Sequence, residues 1–517
     1  MELSAAVPPA EIASGAHRRA RFTTEAVIKA FFGSNALVAI VVLTLITVFL
    51  VREGFGFFEQ NLKSIRLYRR AGLEFVDIIR TQADRHSSLS RQLSDIRLQE
   101  AGAQPNQPGL AQFDQFANAF SDAAEELNGL VSDAGEQAIA LRAALVGHAS
   151  EAGTSATDSD DRAAAAIPPT VLAQGLVALR SAAGKFDGIA SSISGKIQTL
   201  LASPPPLTNP QAEKSFQKWK SNARNYIAQF PSASAQLRSW DPHQPVPAYR
   251  TVTSFLFGTN WVTASFWQDW YGIIPLLVGS ILVAGVALTL AVPLGVSAAI
   301  YVSEVAGRGE KSLIKPYIEF ISAIPSVVLG FFGIAVVGQA IRAFSQWPLM
   351  KWVPFFPISE RLNVFTAGCL LALMAVPTIF TLAEDALRNV PRGFKEASYA
   401  LGANRLQTVG RVLVPAALSG IISAILLGLG RVIGETMVVL LCAGNRIAIP
   451  DFTQGLGAFF QPVHTMTGII AQEMGEVVRG SIHYRALFMV GLVLFVLTLG
   501  INYLAQKIVG RYRMSIG

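Results

Sequence analysis

Apolar residues along this chain gather into long runs separated by polar stretches. Six uncharged or nearly uncharged runs lie at about 34–51, 272–302, 317–341, 364–383, 412–442 and 485–506. A helix needs roughly 18 or more such residues to cross about 30 Å of hydrocarbon, and the longer runs imply tilt or a helix that continues past the bilayer. Between the first and second runs the pattern changes. Leu172, Leu176, Leu179, Ala183, Phe186, Ala190, Ile193, Ile197 and Leu200 recur at alternating spacings of four and three. Phe216, Trp219, Ala223, Tyr226 and Phe230 form a second seam, and Phe113, Phe116, Phe120, Leu127 and Val131 a third. Such seams are the buried faces of packed helices. Breakers separate them at Pro105 to Pro108, in the polar tract 149–169, at Pro204-Pro205-Pro206 and at Pro242 to Pro247. The pattern predicts about four helices, at roughly 59–100, 109–148, 170–202 and 211–236, with the polar tract disordered. The predicted fold class is all-α: an integral membrane protein of six transmembrane helices, with a helical bundle inserted between the first two.

Composition agrees with a membrane protein. The chain has 517 residues, 51% hydrophobic and 15% charged, where a soluble chain carries about 25% charged residues. Cys369 and Cys442 both lie inside apolar runs and read as small buried hydrophobes. They supply neither a disulfide framework nor a thiolate metal site, and the six histidines show no ligand spacing. No G-x-x-x-x-G-K-[ST] phosphate loop is present. The closest stretch, at Gly195-Lys196, lacks the first glycine and the final hydroxyl. Any ATP hydrolysis must then come from a partner, so the chain is not expected to be an enzyme.

Charge predicts orientation. The segment 53–270 holds 19 basic and 21 acidic residues, so the remainder carries the whole positive excess behind the net +7. That excess sits at the ends of the apolar runs, which speaks to membrane orientation and not to nucleic acid. Arg18, Arg19, Arg21 and Lys29 precede the first run; Arg308, Lys311 and Lys315 follow the second. Arg388, Arg392, Lys395, Arg405 and Arg411 follow the fourth, and Lys507, Arg511 and Arg513 the sixth. These total 15, against five in the loops 342–363 and 443–484. By the positive-inside rule both termini are cytoplasmic and 53–270 is extracytoplasmic. The first run reads as an uncleaved anchor, because Arg52-Glu53-Gly54-Phe55 is no small-residue cleavage site.

One loop on the cytoplasmic side has a distinctive spacing. Residues 396–415 read EASYALGANRLQTVGRVLVP: Glu396-Ala397 opens a helix, Gly402 follows, and Pro415 begins the fifth run. This resembles the EAA loop of ABC importer membrane subunits, with Ser398, Val412 and Val414 as conservative departures. From Phe255 onward the chain resembles the phosphate transport permeases of the PstC type. The resemblance rests on Phe255-Leu256-Phe257-Gly258-Thr259-Asn260-Trp261 before the second run, on IEFISAIPSVVLGFFG, and above all on GLGRVIGETMVVLLCAGN. The sister A-type subunit usually follows Gly-Glu-Thr with Ala-Pro, where this chain has Met437-Val438. The resemblance covers about 260 residues and the first run, and leaves about 57–250 without a counterpart.

The resemblance implies a type I ABC importer fold, laid out as a cytoplasmic tail 1–33, a first span 34–52, a periplasmic bundle 53–254, and a transmembrane domain 255–517 with a coupling loop at 388–411. It implies import of inorganic phosphate across the bacterial inner membrane by alternating access. The expected partners are a homologous A-type permease, two ATPase subunits holding ATP and Mg, and a periplasmic phosphate-binding protein; no cofactor is expected on this chain. Glu396, Ala397, Tyr399, Leu401 and Gly402 would form the helix that docks on the ATPase. Two alternatives stay open: import of another small oxyanion, and a sensor or signalling role acting through the bundle.

The candidate pathway residues are Arg431, Glu435, Thr436 and Glu319. Charges inside a bilayer cost about 2.5–3.5 kcal/mol each on insertion scales, so they normally face protein or a water-filled path. On a continuous helix Arg431 and Glu435 would share a face one turn apart, either as a mutually neutralised pair or as a station for an anion. A guanidinium fork matches phosphate oxygens, and the resemblance assigns this pair to the translocation path. Glu319 is expected within the third span, where Pro325 would kink the helix. Glu384 and Asp385 are expected to be structural, at the cytoplasmic end of the fourth span. Gly428, Gly430 and Gly434 read as helix-packing positions on the fifth.

Overall fold

The computed structural model describes residues 14–101, 108–151, 169–350 without 264 and 266, and 352–512 without 354. The chain folds as two compact units, Met1–Phe57 with Ile273–Gly517, and Phe58–Gly272. Helix α1, Ser14–Arg70, contains the first apolar run. Its Val27, Phe31, Leu37, Leu45 and Phe49 are all exposed, an apolar surface suited to lipid and not to water.

The second unit is built from α2 (Leu73–Ala101), α3 (Pro108–Asp122), α4 (Glu125–Glu151), α5 (Pro169–Ala202), α6 (Pro210–Ala228), α7 (Phe230–Ser239) and α8 (Tyr249–Leu256). A two-stranded antiparallel hairpin follows, β1 (Trp261–Val262) and β2 (Trp270–Tyr271), with Trp261 opposite Tyr271. All four expected helical segments are present, but three are interrupted. The segment 59–100 breaks at Gly72, whose φ of +77° is left-handed and is open to glycine without the penalty of a Cβ. The segment 109–148 breaks at Ala123-Ala124. The segment 211–236 breaks at Gln229, where Pro231 in the first turn of α7 cannot donate the backbone bond that would continue α6. The unit closes at Gly272, later than the expected 254, so Phe255 to Trp261 belong to it. The disorder expected of 149–169 concerns a tract that lies, apart from its ends, outside the described residues.

Members of all three sequence seams line this unit's core. Phe113, Phe120, Phe186, Phe216, Trp219 and Ile197 are all buried in one cluster, each such side chain contributing about 1.5–3 kcal/mol by leaving water. The Trp219 ring stacks on Phe216 at 5.4 Å, and its Nε1 donates to the Leu89 carbonyl at 3.0 Å. His86 stacks on Phe120 at 4.3 Å. Burial holds its imidazole below the usual value, although its bond with the Phe120 carbonyl opposes the shift.

The first unit continues from α1 through α9 (Ile274–Val305), α10 (Arg308–Ala323), α11 (Ser326–Ser345), α12 (Val364–Arg388), α13 (Arg392–Ala400), α14 (Arg405–Ala416), α15 (Leu418–Ile433), α16 (Met437–Cys442), α17 (Met466–Glu473) and α18 (Ile482–Tyr512). Among the described residues, α1, α9, α11, α12 and α18 are long and apolar enough to span a membrane; α14 and α15, bent by 68°, make a sixth span if counted together. Two expectations are corrected. The third span starts at Ser326, not 317: Ile324 is extended at ψ 124°, as residues before proline are, so Pro325 separates α10 from α11 and does not merely kink one helix. The fifth run is not one helix either, for α15 ends at Ile433 and α16 begins at Met437.

Small residues set the packing. Ile379 of α12 sits between Gly295 of α9 and Gly428 of α15: a Cβ on either glycine would lie 2.9 or 2.7 Å from its side chain. At the other edge Phe49 of α1 meets Phe488 of α18 at 5.5 Å. There Gly56 leaves room for Arg485, whose Nη1 donates to the Gly56 carbonyl at 3.2 Å.

Candidate functional site

The packing of α12 against α15 places Arg431. Its Nη1 donates to the Thr378 hydroxyl of α12 at 2.9 Å. The side chain is otherwise exposed and makes no ion pair among the described residues. A guanidinium has five N–H donors, so most of this one is free to meet an oxyanion bidentately. Ser423, Leu427 and Arg431 are all exposed at spacings of four, so Arg431 ends an open stripe along α15.

Glu435 does not share that helix face. Gly434 caps α15 at its C-terminus, and Glu435 lies in the break. Its Oε1 accepts from the backbone N–H groups of Met437 at 3.1 Å and Val438 at 3.4 Å. A carboxylate there satisfies amides that the first turn of α16 leaves without partners. Its backbone carbonyl accepts from the Thr467 hydroxyl of α17 at 2.8 Å. The neutralised pair envisaged for Arg431 and Glu435 is therefore absent: each charge has its own partner. Thr436 is the N-cap of α16, with its hydroxyl 3.5 Å from the Gly434 carbonyl. Glu319 is exposed on α10, in front of the third span and not within it. Of the three glycines, Gly428 packs on Ile379, Gly430 has nothing within 4 Å of a built Cβ, and Gly434 ends the helix. Sequence reasoning missed Thr378 and Thr467, whose roles come from helices distant in the chain; no local signal marks them.

The residues expected to dock on an ATPase form α13 and its end. Gly402 at φ +82° takes the left-handed position. Its N–H donates to the Tyr399 carbonyl at 2.9 Å, and that of Ala403 to the Ser398 carbonyl at 3.2 Å, the paired bonds of a Schellman stop. Ser398, in place of the second alanine, is buried and bonds the Thr408 hydroxyl of α14 at 2.9 Å. This fastens α13 to the helix that leads into α15. Glu396, Ala397 and Gly402 are exposed, and so are the apolar Tyr399 at 41% and Leu401 at 89%. Exposed apolar side chains on a short helix with a fixed end suit docking into a groove.

Two ion pairs tie this region to the spans. Lys395 of α13 pairs with the buried Glu304 at the end of α9. Lys315 of α10 pairs at 3.0 Å with Glu384 of α12, which also meets Arg388 at 3.3 Å. Glu384 thus holds two cations at this end of α12.

Residues 291–513 match the family model of binding-protein-dependent transport system inner membrane components. A probable ABC transporter permease, YqgH of Bacillus subtilis, is 34% identical over 258 residues, covering 49% of this chain and 77% of its own. The phosphate transport permease PstC of Haemophilus influenzae is 32% identical over 272 residues, covering 50% and 84%. PstC of Pasteurella multocida is 30% identical, covering 51% and 82%. The family match begins at residue 291, beyond the second unit.

Proposed function

The chain belongs to the binding-protein-dependent ABC importer permeases of the PstC type, and we propose that it forms the path for inorganic phosphate into the cytoplasm. It is a multi-pass membrane subunit that carries no phosphate-loop motif of its own. In this reading ATP and Mg reside on two ATPase subunits, a homologous A-type permease completes the pore, and a periplasmic phosphate-binding protein delivers the anion. The positive-inside rule, applied to the basic loops, supports termini and α13 in the cytoplasm and the second unit in the periplasm. Tyr399 and Leu401 would seat in the ATPase, and ATP-driven closure would move the spans between inward- and outward-open states.

The observation that supports this best is the free guanidinium of Arg431 at the end of the open stripe on α15. There it would replace part of the hydration lost by a phosphate entering the membrane. Glu435, bonded to the start of α16, leaves Arg431 unneutralised. Thr436 and Glu319 remain weaker candidates for that path. The test is radiolabelled phosphate uptake by the assembled complex. Arg431→Ala and Arg431→Gln should abolish uptake while all subunits still copurify; wild-type uptake by either would refute the role. Uptake of another oxyanion in preference to phosphate would keep the mechanism and change the cargo.

A further inference from the structure

A groove of about 580 Å³ lies between α15 and α18, within the range of small-molecule sites. Ser423, Leu426 and Leu427 form one wall; Asn502, Ala505 and Gln506 form the other. Gly510 lines its end, with nothing within 4 Å of a built Cβ, so no side chain closes it there. Leu427 stands one turn from Arg431. The groove therefore continues the open stripe on α15 that the guanidinium ends.

Two of its residues are out of place in an ordinary span. Asn502 and Gln506 lie within the apolar helix Ile482–Ile508, four apart and so on one face. Both are exposed, and neither carboxamide bonds another described residue. Polar side chains at membrane depth face protein or a water-filled path and not lipid. Among the described residues no protein group meets these two, which leaves water and what moves through it.

Charge agrees with an anion. Helices α15 and α18 hold Arg431, Arg485, Lys507 and Arg511 and no carboxylate. Glu384, Asp385 and Glu435 are not on the groove walls, which are uncharged. One strong cation followed by neutral donors suits release, because a translocated ion must be held well enough to enter and weakly enough to leave. A carboxamide donates to phosphate oxygens and accepts from a phosphate hydroxyl. It can replace hydration in both senses without holding the ion by charge.

We propose that Asn502 and Gln506, facing Ser423, line the release route that carries phosphate from Arg431 toward the basic end of α18. The inference rests on the reading of Arg431 as the station for the anion and names the continuation of that path.

The test uses the full chain assembled with its partner subunits in proteoliposomes. Asn502→Leu with Gln506→Leu should lower maximal phosphate uptake about tenfold, with the half-saturating phosphate concentration unchanged and all subunits still copurifying. Gln506→Asn, which keeps a carboxamide, should recover most of what Gln506→Leu loses. Gln506→Cys should react with a membrane-impermeant anionic thiosulfonate applied at the cytoplasmic face; the native chain, whose Cys369 and Cys442 lie off the groove, is the control. No reaction at position 506 would mean that lipid or a partner helix fills the groove, and would overturn the proposal. Native maximal uptake by the double leucine variant, or equal loss in Gln506→Asn and Gln506→Leu, would also overturn it. Thiol accessibility does not depend on Arg431, so the two readings fail separately. Wild-type uptake by Arg431→Ala removes the station, whereas a closed position 506 removes the route alone.

Discussion

Lys315→Met should destabilise the permease unit more than removal of the carboxylate it contacts. Glu384 is 1% exposed, whereas Lys315 is 33% and Arg388 56% exposed. Breaking a fully buried pair by deleting one member costs about 3–5 kcal/mol, chiefly because the remaining charge is stranded. Here Lys315 is one-third in solvent and Arg388 stays at 3.3 Å, so screening reduces the cost to about 2 kcal/mol. Glu384→Leu leaves Lys315 and Arg388 without their carboxylate, but both reach water, so it should cost about 1 kcal/mol. The double variant Lys315→Met with Glu384→Leu strands neither and should lie within about 1 kcal/mol of the native chain. The order of stability is therefore native, double, Glu384→Leu and Lys315→Met, with the last two strongly non-additive. Thermal unfolding in detergent reads it, at about 2 °C per kcal/mol for a unit of this size. A double variant as unstable as the sum of the singles would refute the reasoning. So would a Lys315→Met chain as stable as the native one.

Gly428→Val drives a Cβ to 2.7 Å from Ile379 and should cost about 1–3 kcal/mol by overpacking; Ile379→Ala in the same chain should restore part of the lost unfolding temperature. Leu401→Asp should abolish ATP-driven uptake while leaving the unfolding temperature unchanged, because the side chain is 89% exposed and packs on little within the chain. Burial raises the Glu74 carboxyl, but Arg69 and Arg250 outweigh it and hold the group below its ordinary value of 4.5. Its folded-state pKa is thus depressed, so its stabilisation is complete above about pH 4.5 and is lost as pH falls through the lower folded value. Glu74→Gln should lower the unfolding temperature of the full chain at neutral pH, and the gap to the native chain should close in acid; a gap that persists unchanged there would refute this.

Much of the architecture was legible because it rests on periodicity. Phe186, Ile193 and Ile197 are apolar at helical spacing and are buried together; the runs at 364–383 and 485–506 lie in α12 and α18. Interruptions were less legible, since an apolar run does not record where its helix stops. The break after Ile433 had a signal that the length of the run obscured: Gly434 is a natural helix end, and Glu435 and Thr436 directly precede the apolar Met437–Cys442, as polar caps precede a helix. Pro325 gave a similar signal through the residue before it. The partners of Arg431 and Glu435 could not be read locally, because Thr378 and Thr467 are brought to them by the packing of α12 and α17.

The separation of Arg431 from Glu435 changes what the loop at α13 can control. On one continuous helix the two charges would move together, and shifting that helix would leave their mutual interaction intact. With the break, Arg431 belongs to α15, joined through the 68° bend to α14 and through Ser398 and Thr408 to α13. Glu435 instead accepts from the first amides of α16 and is held through its backbone by Thr467 of α17. A displacement of α13 therefore has a direct connection to the guanidinium through α14 and α15, while the carboxylate is anchored beyond the break. In the proposed transport cycle, movement of α15 would carry Arg431 relative to Thr378 and Glu435. The charged pair becomes two separately positioned groups, one on each side of the break.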